Sequence, residues 1–190
     1  MNVGATSETD YGLYFQWGDT QGYTASQVGS GSGQKAFSWA DYKWSDNGSS
    51  SVFTKYNATD DKTILDIEDD AARANMGGEW RMPTTEELQA LGEAVNAVWT
   101  ENYNGSGVDG LLCTDKTDST KTLFFPAAGY ADDGSLNSVG DEGFVWSSSL
   151  SSNYVDSAWD LLFFDEGTYW GNNDSFRCYG FSVRGVLDEA

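Results

Sequence analysis

The residues best equipped for chemistry are Cys113 and Cys178 and the 30 Asp and Glu side chains, among them Asp60-Asp61, the run Asp66 to Asp70, and Asp165, Glu166 and Asp174. Clustered carboxylates are what calcium wants, since hard cations take several oxygen ligands. No EF-hand loop pattern surrounds any of these groups, and Asp66 to Asp70 reads better as the negatively charged start of a helix. Asp165, Glu166 and Asp174 could serve a calcium or sugar site, but their spacing fixes no geometry. Cys178 lies among acids, which raise a thiol pKa and blunt its nucleophilicity. The chain has no histidine. That removes imidazole acid/base catalysis, His-activated serine and cysteine nucleophiles, and nearly all zinc sites. The cysteines lack metal-ligand spacing and are expected as two free thiols. No catalytic residue, no metal and no cofactor is expected.

What stands out instead is the stretch from Phe144 to Val186. Trp159, Leu161 and Phe163 alternate with Asp160, Leu162 and Phe164, and in a strand these two sets point to opposite faces. The odd-numbered set is large and apolar, as a core face should be. The even-numbered set mixes an acid, an aliphatic and an aromatic, and Asn172 to Phe176 with Cys178 repeats that mixture. The pattern predicts a rigid aromatic frame that displays a patch of arbitrary residues to a partner.

The elements that must position this stretch can be taken in order. The 190 residues fit one domain, residues 1–190. Tyr11 to Trp17 is expected as an early strand, and Phe37 to Tyr56 as irregular chain anchored by aromatic side chains. A first helix is expected over Glu68 to Met76, ended by Gly77-Gly78. A second should start at Thr84, where Thr84 and Glu87 match a capping box, with Leu88, Leu91, Val95 and Val98 or Trp99 on one face. Leu111–Cys113 and Thr122–Phe125 read as short strands joined by a turn. Matches to the glycosylation pattern at Asn47, Asn57, Asn104 and Asn173 are given no function.

A formal charge of −20 argues against nucleic acid and anionic membrane as partners. No apolar run is long enough for direct membrane insertion. The opening MNVGATSETDYG is already polar, so any export signal is expected upstream of residue 1.

Three groups of motifs carry a resemblance: Asn2-Val-Gly-Ala5 with Tyr11-Gly12 and Tyr14-Phe-x-Trp-Gly18; Gly78-Glu-Trp-Arg-Met-Pro-Thr84; and Trp146-Ser-Ser-Ser149 with Gly180-Phe-Ser-Val-Arg184. Together they resemble a bacterial domain family of C-type lectin fold, related in architecture to formylglycine-generating enzymes. The segment between the last two motifs resembles the variable region of proteins diversified by retroelements, in which a reverse transcriptase mutates template adenines. The implied fold class is α+β, a C-type lectin fold with two helices, short antiparallel sheets and long irregular loops, whose first and last strands are neighbours.

The resemblance implies a non-enzymatic ligand-binding protein with a variable segment over 153–178. It would be displayed at a cell surface or on a phage particle, as an adhesin or receptor-binding module for a protein or glycan ligand. The ligand-binding positions it implies are Tyr154, Asp156, Ser157, Asp160, Leu162, Phe164, Asp165, Thr168, Tyr169, Gly171, Asn172, Asn173, Asp174, Ser175, Phe176 and Cys178. Each is reachable from an asparagine codon mutated at its adenines. Trp159, Glu166 and Trp170 are not, and would be fixed frame. Arg184 is expected to serve the frame through an acid such as Asp66. The alternatives are a formylglycine-generating-enzyme-like oxidase, a calcium-dependent carbohydrate lectin, and a pilus or surface structural subunit. The chain departs from the oxidases in having no pair of nearby cysteines. Its WGNND segment is not a calcium-lectin sugar motif, and a lectin fold by itself does not imply sugar binding.

Overall fold

The computed structural model describes residues 1–187. Among them the chain is a mixed α/β protein, mostly strands in small antiparallel sheets, with two α-helices. Among the described residues no helix is long and apolar enough to cross a membrane.

The first expected helix divides in two. Ile67–Asp69 forms a 3-10 turn and α1 spans only Ala71–Met76. Asp70 interrupts the run because its carboxylate caps α1, accepting from the Arg73 N–H at 2.9 Å, while its other oxygen accepts from the Met82 N–H at 2.7 Å. Gly77, at φ +70°, ends the helix. After β1 (Trp80–Arg81), helix α2 runs from Thr85 to Ala94. Its capping box forms as expected: Thr84 accepts from the Glu87 N–H, and the Glu87 carboxylate accepts from the Thr84 N–H. Glu87 also receives a bidentate pair of bonds from Arg81, at 2.6 and 2.7 Å.

The second helix is shorter than its apolar spacing predicts. Val95–Thr100 is strand β2, paired antiparallel with β3 (Gly110–Asp115), which in turn pairs with β4 (Thr122–Pro126). Val95, Ala97 and Trp99 alternate into the core against Leu91, Leu111 and Phe125, while Val98 is exposed. A period of two thus replaces the expected period of 3.6. The β3–β4 turn is closed by the Asp115 and Asp118 carboxylates, which accept from backbone N–H groups of Thr117, Asp118 and Thr120.

Next come the small hairpin β5 (Tyr130–Asp132) and β6 (Ser135–Asn137), and then the sheet that dominates the C-terminal half. In it β7 (Glu142–Leu150), β8 (Ser157–Phe164) and β9 (Gly167–Phe176) pair antiparallel in that order. Strand β10 (Val186–Leu187) returns to pair with β1.

Tyr11 to Trp17 contributes bridges rather than a continuous strand, pairing Tyr14 with Tyr23 and Phe15 with Phe181. The Val3 N–H donates to Val183 O at 2.8 Å, so the N-terminal segment does lie beside the last. Two tryptophans lock this junction. Trp146 Nε1 donates to Phe15 O at 2.8 Å and Trp17 Nε1 to Ser147 O at 2.9 Å, with Trp146 stacked on Phe181 at 4.1 Å. Both indoles are fully buried, and both N–H groups have the partners that burial demands.

Phe37 to Tyr56 is irregular as expected, with Phe37, Tyr42, Phe53 and Tyr56 buried. Arg184 does not pair with Asp66. It donates to Phe124 O at 2.7 Å and lies over the Phe125 ring, so it serves the frame through a carbonyl and an aromatic face.

Candidate functional site

Strand β8 carries the alternation that drew attention in the sequence, but neither of its faces is open. Leu161 and Phe163 enter one apolar cluster with Leu88, Val145 and Phe125. Ala158 and Leu162 enter another with Trp146, Phe144 and Phe181. The middle of β8 is therefore covered on both sides, and its even-numbered face is buried at Ala158 and Asp160 and half-buried at Leu162 and Phe164. Asp160 sits on that face with no exposure at all. Asn173 on β9, its register partner, donates Nδ2 to both Asp160 oxygens, at 3.0 and 3.2 Å. Burial pushes the Asp160 carboxyl up to about 8, against the opposing pull of the Asn173 and Ser175 hydrogen bonds.

One exposed part of the segment lies at the end of the sheet where the chain enters β8 and leaves β9. Here Tyr154, Asp156, Ser157, Asp174, Ser175, Phe176 and Tyr179 border an open depression of about 520 Å³. Its entry loop is pinned by one polar knot. Ser151 Oγ donates to Asp174 Oδ2 at 2.7 Å and accepts from the Asn153 and Tyr154 N–H groups. The loop is tied to β9 a second time by Arg177, whose N–H donates to Asp156 O at 3.0 Å. Tyr154 is 62% and Phe176 42% exposed, whereas Ser157 is buried and contributes only its rim. A smaller hollow of about 180 Å³ adjoins this one through Ser175 and Tyr179, and adds Tyr130, Glu142, Phe144 and Phe181.

Other expected positions fall elsewhere. Thr168 and Asn172 face a different open hollow, shared with Gln89, Gly92, Glu93 and Trp170 against α2. Asp165 is exposed at the β8–β9 turn, with Phe164 stacked on Tyr169 nearby at 6.2 Å. Leu162 is half-buried against the core.

Besides the fully buried Asp160, two more positions are corrected outright. Gly171 is buried at φ +67°, and a Cβ there would come within 2.6 Å of Thr85 Oγ1, so the close approach of β9 to α2 fixes glycine. Cys178 is buried among Tyr42, Phe53 and Tyr179, and burial pushes its thiol up to about 12. Neither it nor Cys113 is in a disulfide.

Arg177 is the least ordinary frame residue. Its guanidinium has no exposure, lies 3.7 Å from the centre of the Phe53 ring and donates Nη1 to Tyr56 O at 3.0 Å. Its Nε and Nη2 have no hydrogen-bond partner among the described residues.

The acids at Asp66, Glu68 and Asp69 do converge, their oxygens lying within 4.8 Å of one another. A lysine ammonium already sits among them. Lys55 Nζ is 2.6 Å from both Asp66 and Asp69, with Lys62 on Asp66 at 2.7 Å and Lys43 on Asp69 at 3.2 Å. The run does open helical turns, with Asp70 capping α1, and Asp66 and Asp69 also form a lysine–carboxylate network in which the protein supplies its own cation.

Sequence reasoning missed Tyr179, which borders both hollows and touches Phe176 at 5.5 Å and Tyr130 at 5.6 Å. It also missed Tyr130, Glu142 and Phe144, which reach the site from β5 and β7. Tyr179 could have been found by carrying the codon rule one residue past Cys178; the other three come together only through tertiary pairing. Comparison with family models, with curated proteins and with solved structures finds no match to this chain.

Proposed function

We propose that this chain is a non-enzymatic ligand-binding protein of C-type lectin fold whose binding face is varied by retroelement mutagenesis, and that it is displayed at a cell surface or on a phage particle. The fold reading is supported by the two helices, the small antiparallel sheets, the juxtaposed first and last segments and the long aromatic-anchored irregular stretch. The observation that carries the functional reading is the depression at the end of the β7–β8–β9 sheet. Tyr154, Asp156, Asp174, Ser175 and Phe176, all drawn from the segment expected to vary, converge there at the end of the sheet. Trp146, Trp17, Arg177 and Gly171 hold the frame from behind.

Exposed aromatic rings beside polar groups are the usual anchors of a recognition surface. The depression is open rather than deep, so a single copy binds modestly and several copies displayed together gain by avidity. The test is a display library randomised at Tyr154, Asp156, Tyr169, Asn172, Asp174 and Phe176 and selected against unrelated target proteins. Folded binders to several targets support the reading. Loss of folding across the library, or no binder to any target, contradicts it.

A further inference from the structure

We propose that the depression beside Tyr154 takes a lysine or arginine side chain from the surface of a partner protein, which rests on the reading of this segment as a binding face. Three rings, Tyr154, Phe176 and Tyr179, border it together with the carboxylates of Asp156 and Asp174, and no basic side chain does. Aromatic faces attract cations through the ring quadrupole, and a long basic side chain lays its methylene stem on the same surface.

The carboxylates are held in place by hydrogen bonds and have no direct salt bridge among the described residues, the buried Arg177 guanidinium acting on Asp156 only through space. Asp156 Oδ1 accepts from Ser157 Oγ at 3.0 Å, and Asp174 Oδ2 accepts from Ser151 Oγ and Asn153 Nδ2. Those donors are all uncharged, and neither acid has an ion-pair partner among the described residues. Arg177 is joined to Asp156 through the backbone, but its guanidinium turns inward over Phe53. The adjoining hollow continues the same chemistry, adding the Glu142 carboxylate beside Tyr130 and Phe144. A chain of net charge −20 also draws positively charged partners towards it, which raises the rate of encounter. A neutral sugar could stack on the rings but would leave the carboxylates without a counter-charge.

The experiment is a two-dimensional NMR titration of the full chain with N-acetyl-arginine amide and N-acetyl-lysine amide, with uncharged N-acetyl-glutamine amide and methyl galactoside as controls. The cations should shift the amides of residues 154–157 and 174–179. Their binding should weaken about threefold or more as ionic strength rises from ~0.05 M to ~0.3 M. Asp156→Asn and Tyr154→Ala should each weaken it about threefold or more, and the two act on different groups should one of them fold poorly. Equal shifts with the glutamine amide, no shifts in these two segments, or preference for the galactoside would overturn the proposal. If the cations fail while the library still yields binders, only the ligand class falls; if both fail, the binding face falls with it.

Discussion

Asn173 closes over the carboxylate of Asp160, donating to both of its oxygens across the β8–β9 pairing, and Asp160 has no contact with solvent. The pair links β9 to the core, because Asp160 shares its face with Ala158 and Leu162 of the main apolar cluster. Burial outweighs the two hydrogen bonds, so the folded protein holds this acid protonated up to about pH 8.

The sign of the resulting pH dependence follows from proton counting. Between about pH 4, where an unfolded Asp ionises, and about pH 8, the folded state binds one more proton than the unfolded state. Stability from this group is therefore greatest below pH 4, falls as pH rises through that window and levels off above it. Asp160→Asn should remove the slope, raising stability at pH 7 by on the order of 3 kcal/mol and leaving it little changed at pH 4. Thermal melts of both proteins from pH 4 to 9 check this; parallel curves would contradict it.

Gly171 and its neighbour Asn172 should respond oppositely to alanine. Gly171→Ala forces a side chain into a positive-φ position against Thr85 and should cost at least ~2 kcal/mol. Asn172 is exposed, and Asn172→Ala should stay within ~0.5 kcal/mol. Urea unfolding of the two variants measures the difference.

Arg177 contributes shape more than charge. With two of its nitrogens unpartnered and Phe53 against its plane, Arg177→Met should cost clearly less than Arg177→Ala, which opens a cavity beside Phe53. Equal losses in chemical denaturation would mean that the bond to Tyr56 O, and not packing, is what matters.

The Asp66–Asp69 network should be indifferent to calcium, because Lys55 fills it. Millimolar calcium or a chelator should leave the melting temperature unmoved. Lys55→Ala should cost on the order of 1 kcal/mol, because the buried Asp69 carboxylate loses its shortest ion pair but keeps Lys43 and the Tyr56 hydroxyl. A calcium-dependent rise in the unsubstituted protein would show that the ion displaces the lysine.

Local chemistry was legible in the sequence, and long-range pairing was not. The Thr84–Glu87 capping box and the β3–β4 hairpin depend on neighbours a few residues away, and they form as their residues dictate. Val95 and Val98 continue a helical spacing from Leu88 and Leu91, yet pairing with β3 converts them to strand. The alternation in β8 separated two faces, but Phe15, Trp17 and Phe181 pack over the second one from distant segments. For the same reason local sequence does not distinguish Asp160 and Cys178, which are buried, from surface residues, nor bring Tyr179 and Glu142 to the site.

The central claim is that the face at the end of the β7–β8–β9 sheet is varied while its frame is held. It is tested most directly by sequencing the DNA that flanks the gene. A near-copy of the segment encoding residues 145–186 should lie there, beside a reverse-transcriptase gene. That copy should carry adenines at the codons for Tyr154, Asp156, Tyr169, Asp174 and Phe176, and unaltered codons for Trp159, Trp170, Gly171 and Arg177. Absence of such a copy, or differences that fall on those frame codons instead, would contradict it.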